Sequence, residues 1–77
     1  MYSQTVSDIL IFKTNVTEEA DVRRIAPLLD SDERVLQWNI DREDIDHVLR
    51  VKSDVLETGE VMRMIRVAGY TCEELTD

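Results

Sequence analysis

Seventeen of the 77 residues are acidic, and two groups of them are spaced closely enough to act together. Glu18, Glu19 and Asp21 fall in the first turn of what reads as a helix, with Glu18 and Asp21 three apart and so on one face. Oxygen donors in that arrangement suit a hard cation. They equally suit the positive end of a helix dipole, the ordinary reason for acids in a first turn. The second group is Asp41, Glu43, Asp44 and Asp46, within the polar stretch Asp41-Arg42-Glu43-Asp44-Ile45-Asp46. Its density of carboxylates suggests calcium, but an EF-hand loop has Gly at its sixth position and Glu at its twelfth. Counted from Asp41, those positions hold Asp46 and Lys52, so the stretch reads as a solvated turn.

The other reactive side chains stand alone. His47 is the single histidine and Cys72 the single cysteine. One thiol excludes an intrachain disulfide and a cysteine-pair metal site. A redox thiol needs a cationic neighbour, whereas Glu73 and Glu74 adjoin Cys72 and should raise its pKa. We expect an inert, partly buried residue. Met62 and Met64 are two apart, which on a helix turns them away from each other, so they read as packing. Trp38 also reads as core filling. Asn15-Val16-Thr17 matches a glycosylation sequon, which matters only in a secreted chain. There is no nucleophile–base pair, no phosphate-binding glycine loop and no acid–base dyad. We expect no catalytic activity and no cofactor.

The elements that carry these residues follow from periodicity. Met1 to Asp8 reads as a lead-in, and Ile9-Leu10-Ile11-Phe12 is a continuous apolar run that suits a central strand. A first helix should follow, capped by Asn15 or Thr17, with Val22, Ile25, Ala26 and Leu29 as its apolar stripe. Pro27 should kink it, or break it with one further turn remaining. Leu36, Trp38 and Ile40 then alternate with Gln37, Asn39 and Asp41. Beyond the acidic stretch, His47, Leu49 and Val51 alternate with Val48, Arg50 and Lys52. These are two strands of an antiparallel hairpin. Thr58 should cap a second helix with Val61, Ile65 and Ala68 inward, and Gly69 should end it in a left-handed conformation. Tyr70 to Leu75 reads as a last short strand.

The order βαββαβ predicts an α+β, ferredoxin-like fold: a four-stranded antiparallel sheet in the order 4-1-3-2 with both helices on one face. The 77 residues make a single domain with its core at about residues 9–75. A formal charge of −8 argues against nucleic acid and against anionic membrane surfaces. No apolar run reaches the length of a membrane span or of a signal peptide. With no disulfide, a cytoplasmic location is expected.

The element lengths, the hairpin and the ending Ala68-Gly69-Tyr70 before a short strand resemble the heavy-metal-associated (HMA) domain, the copper-chaperone family. The family carries Met-x-Cys-x-x-Cys between its first strand and first helix, and those thiolates hold Cu(I) or another soft metal. Anchored on Val22-x-x-Ile25, the two cysteine positions fall on Glu18 and Asp21. Shifted by one, they fall on Thr17 and Ala20. Neither register supplies sulfur, so no metal ligand carries over. In this topology the family's metal loop, the hairpin tip and the connection before the last strand share one end. Glu18, Glu19, Asp21, Asp41, Glu43, Asp44 and Asp46 should therefore gather where the family has soft ligands. Two readings follow: a non-catalytic module docking a basic protein surface, or a hard-cation binder using the same carboxylates.

Without paired thiolates, a lone His and carboxylates are poor ligands for soft or borderline metals. We expect no Cu(I) or Zn(II) complex to survive competition from a strong chelator. A stable 1:1 complex under those conditions would overturn this.

Overall fold

The computed structural model describes residues 8–75. Met1–Ser7 of the expected lead-in and the Thr76-Asp77 tail lie outside that range, and Asp8 opens the first strand. The elements run β1 (Asp8–Thr14), α1 (Glu19–Asp30), β2 (Gln37–Asp41), β3 (Val48–Ser53), α2 (Thr58–Val67) and β4 (Cys72–Glu74). The sheet order is β2-β3-β1-β4, and every pairing is antiparallel. This is the 4-1-3-2 order expected, with the apolar run of β1 central.

One face of the sheet carries the core. Leu10, Phe12 and Thr14 of β1 turn inward, in register with Val51 and Leu49 of β3 and Cys72 of β4. Ile25 and Leu29 of α1, and Val61 and Ile65 of α2, close over Phe12, Leu49 and Val51 in one cluster. Trp38, Ile40, Met62 and Met64 pack against it from the periphery. The Trp38 indole also donates to Asp30 Oδ1 at 2.7 Å, which ties β2 to the end of α1. The other face lacks this cover: Ile9, in the middle of an apolar run, is 57% exposed.

Several boundaries differ from expectation, each for a local reason. Leu36 precedes β2 and is 54% exposed. Its N–H donates to Lys52 O at 2.8 Å, but its side chain leaves the alternation, and Val35 packs on the core instead. His47 precedes β3 as a turn residue with φ 46°, the left-handed region that non-glycine residues rarely occupy. Its conformation closes the acidic loop, so it does not share a strand face with Leu49 and Val51. The last strand is only Cys72–Glu74.

The helix starts are also displaced. Glu18, not Asn15 or Thr17, is the N-cap of α1, and Glu57, not Thr58, is that of α2. In each case the acid three residues on reaches back to the N-cap amide: Asp21 Oδ2 to Glu18 N at 3.1 Å, and Glu60 Oε1 to Glu57 N at 3.1 Å. That is the return half of a capping box. Helix α1 runs unbroken through the exposed Pro27 and ends one turn later. Gly69, at φ 100°, ends α2 as expected: Tyr70 N–H donates to Ile65 O and Gly69 N–H to Arg66 O, a Schellman motif. Away from the acidic loops, Arg34 grips Asp32 with two side-chain bonds of 3.0 and 2.8 Å and reaches Glu60 at 2.7 Å. That clamp holds the Asp32 carboxyl at a pKa of about 2 and joins the α1–β2 connection to the start of α2.

Thr14 is buried and its hydroxyl has two partners. It donates to His47 O at 2.6 Å and accepts from Val16 N at 3.2 Å. Thr14→Val keeps the shape but leaves both backbone groups unpaired, so it should cost about 1–3 kcal/mol. Thr14→Ser, which keeps the hydroxyl, should cost clearly less. Urea unfolding of the three proteins checks this, and equal losses for Val and Ser would show that packing, not the hydroxyl, matters.

Candidate functional site

Three connections meet at one end of the sheet. The end of β1 is held to the β2–β3 loop by Thr14 N donating to Asp46 O at 3.1 Å and by the Thr14 hydroxyl on His47 O. The β1–α1 connection is held to the α2–β4 connection by Thr71 N donating to Asn15 Oδ1 at 2.9 Å. Tyr70 OH donates to Asp21 Oδ1 at 2.9 Å. The two acidic groups therefore share one end.

The seven carboxylates there have different surroundings. Asp21 is half-buried and both its oxygens are engaged: Oδ2 accepts from Thr17 N, Thr17 Oγ1 and Glu18 N at 3.3, 3.3 and 3.1 Å, and Oδ1 accepts from Tyr70. The Tyr70 hydroxyl, followed by the Glu18 amide, holds this carboxyl below the usual Asp range. Arg24 lies against Tyr70 and Asp21, which raise its own pKa. Glu19 pairs with Arg23 at 2.7 Å on the exposed helix surface, a pair worth little in water. In the β2–β3 loop, Asp41 Oδ1 accepts from Glu43 N at 3.1 Å and Asp44 N at 3.3 Å. Asp44 Oδ1 accepts from Asp46 N at 2.8 Å. These are Asx turns, in which the side chain substitutes for a backbone acceptor. Asp46 lies 3.9 Å from Lys13 Nζ. Glu18 and Glu43 are exposed.

This arrangement does not converge on a cation. Among the described residues no group of three His, Cys, Asp or Glu side chains is placed to hold a metal ion. The Glu18 and Asp21 positions, which the resemblance aligned with thiolates, serve as N-cap and third residue of α1. His47 Nδ1 is shielded from solvent without a hydrogen-bond partner among the described residues. Cys72 is fully buried, and its thiol is pushed up to about 11, chiefly by burial, with Glu73 adding and Arg66 opposing. Burial, rather than the adjoining acids, is thus the main cause, and the thiol is unreactive at neutral pH.

Sequence reasoning missed Lys13, Asn15 and Tyr70 as parts of this end. The only signal was positional: Tyr70 follows the helix-ending Gly69, and the topology brings that residue to the start of α1.

Because folding lowers its pKa, Asp21 contributes stability that is fully present above the ordinary value of 3.8 and is lost as pH falls through the lower folded value. Tyr70→Phe removes the largest cause of that shift. It should destabilise the protein at neutral pH, and the gap from the parent should narrow on acidification. Urea unfolding across the acid limb measures the gap; one that stays constant down to full protonation would show that the tie is not electrostatic.

No protein-family model and no curated protein matches the sequence. Solved structures do match the fold. Oxidized MerP from Ralstonia metallidurans CH34 superposes with a TM-score of 0.77 at 14% identity, covering 92% of this chain and all of that one. The apo HMA domain of the copper chaperone for superoxide dismutase gives 0.75 at 19% identity, covering 99% of this chain and 79% of that one. The yeast copper transporter domain Ccc2a, solved in apo and Cu(I)-loaded states, gives 0.76 at 20% identity, covering 94% and 99%. At these identities the likeness is one of fold: the chain has the ferredoxin-like fold of heavy-metal-associated domains.

Proposed function

We propose that the chain is a non-catalytic interaction module of HMA-like fold without a soft-metal site, which docks a basic protein surface through its acidic loop end in the cytoplasm. The observation that carries this reading is that the acidic loops are held by hydrogen bonds between connections and within the β2–β3 loop. Carboxylates on a braced loop present a fixed pattern of negative charge at little entropic cost on binding. The hard-cation reading has less support, because Asp21, Asp41 and Asp44 already accept hydrogen bonds from the protein. No helix of the described chain is long and apolar enough to cross a membrane.

Charge on such a surface acts mainly on the rate of association. Asn can replace Asp as the acceptor in an Asx turn, so Asp44→Asn with Asp46→Asn should leave the fold intact. Stability should be equal or slightly higher at low salt, where repulsion among the acids is least screened. Association with a basic partner recovered by affinity capture should slow several-fold at low salt and approach the parent rate at high salt. Urea unfolding and stopped-flow association measure the two effects. A double variant less stable at every salt concentration would make these carboxylates structural and remove the basis for docking. Localised, saturable NMR shifts at Glu18, Asp21 and the β2–β3 loop on titration with a divalent cation would favour the cation reading.

A further inference from the structure

Two rows on the uncovered face of the sheet have a chemistry opposite to that of the acidic end, before a third row brings in Asp41 and Glu73. The strand registers place Gln37, Lys52 and Ile9 in one row across β2, β3 and β1, and Asn39, Arg50 and Ile11 in the next. Registered neighbours in an antiparallel sheet project to the same side. A cavity of about 170 Å³ opens there, lined by Ile9, Gln37, Trp38, Asn39, Arg50 and Lys52. Its lining contains two cations and no carboxylate, in a chain with 17 acidic and 9 basic residues. Neither Arg50 nor Lys52 forms a salt bridge among the described residues. Side-chain cations standing on a strand surface next to a half-exposed isoleucine could serve solubility alone. The convergence of donors goes further than that, because two carboxamides, a guanidinium and an ammonium border the same cavity.

We infer that this cavity binds a small organic acid: one carboxylate on an apolar body about the size of a single ring. The guanidinium fork matches the two oxygens of a carboxylate, and the ammonium adds a second charge-assisted bond. The amide groups of Gln37 and Asn39 can donate to the same oxygens. Ile9 borders the cavity with apolar surface for the rest of the ligand, whereas the Trp38 side chain packs on the opposite face of the sheet. The volume sets the size, since a cavity of about 150 Å³ holds a benzene molecule. An acidic protein segment would use the charges but not the apolar surface that Ile9 offers beside them.

The test is an NMR titration of the whole chain with benzoate, acetate and benzylamine. Benzoate should give saturable amide shifts confined to Gln37, Asn39, Arg50 and Lys52 and their neighbours. Acetate, which lacks the ring, should bind at least about tenfold more weakly, and benzylamine, with the ring but the opposite charge, should give no saturable shift. Arg50→Gln with Lys52→Gln should weaken benzoate at least tenfold while leaving the urea midpoint near that of the parent. Equal affinities for benzoate and benzylamine, shifts scattered over the surface, or tighter binding by an acetylated tetra-aspartate peptide than by benzoate would each overturn the inference. The ligand comparisons on the unaltered protein decide the matter even if the double variant fails to fold.

Discussion

A four-stranded sheet that can be covered on only one side constrains everything else in this molecule. A chain this short buries only about 60% of its unfolded surface, and both helices go to the same face. Alternation along each strand then becomes a strict instruction, because a slip of one residue would move Phe12, Leu49 and Val51 into water and Ile11, Arg50 and Asn39 into the core. The same constraint divides the surface into two chemical regions. Two rows of the uncovered sheet face hold Arg50 and Lys52, while seven carboxylates gather at one end.

Most of the fold could be read from periodicity because the buried stripes are regular: Val22, Ile25, Ala26 and Leu29 on α1, Val61 and Ile65 on α2, Leu49 and Val51 on β3. Gly69 was legible because a helix-ending left-handed residue has a strong glycine preference. The capping residues were not, because Glu18 and Glu57 are poor caps by type. What identifies them is the acid three residues on, which returns to the N-cap amide. His47 was misplaced in a strand because its side chain fits the alternating pattern and only its backbone departs from it. The acidic end was legible as a gathering of charge, since topology alone brings those loops together. Its internal wiring was not: whether a carboxylate faces solvent or accepts from Glu43, Asp46 or Tyr70 depends on loop geometry that spacing does not specify.

The contrast with the motif of the family that the sequence resembles turns on the start of α1. The fold presents the first turn of this helix, the β2–β3 loop at the hairpin tip and the loop before β4 as neighbours whatever residues occupy them. In this chain Asp21 uses that proximity to accept from Tyr70 across a separation of 49 residues. A position that lies where the resemblance places a ligand thus works as a structural tie between two connections. The fold keeps the meeting point, and the residue types decide whether it is a binding site or a joint.

The placement of β1 between β3 and β4 has a consequence for how the sheet closes. Residues 8–53 supply β1 and both strands of the hairpin, so three strands can pair without the rest of the chain. The other edge of β1 pairs from Phe12↔Glu74 to Thr14↔Cys72, and bringing those ends together closes a long loop of sequence. That closure rests on a strand just three residues long, which acts as the latch of the sheet.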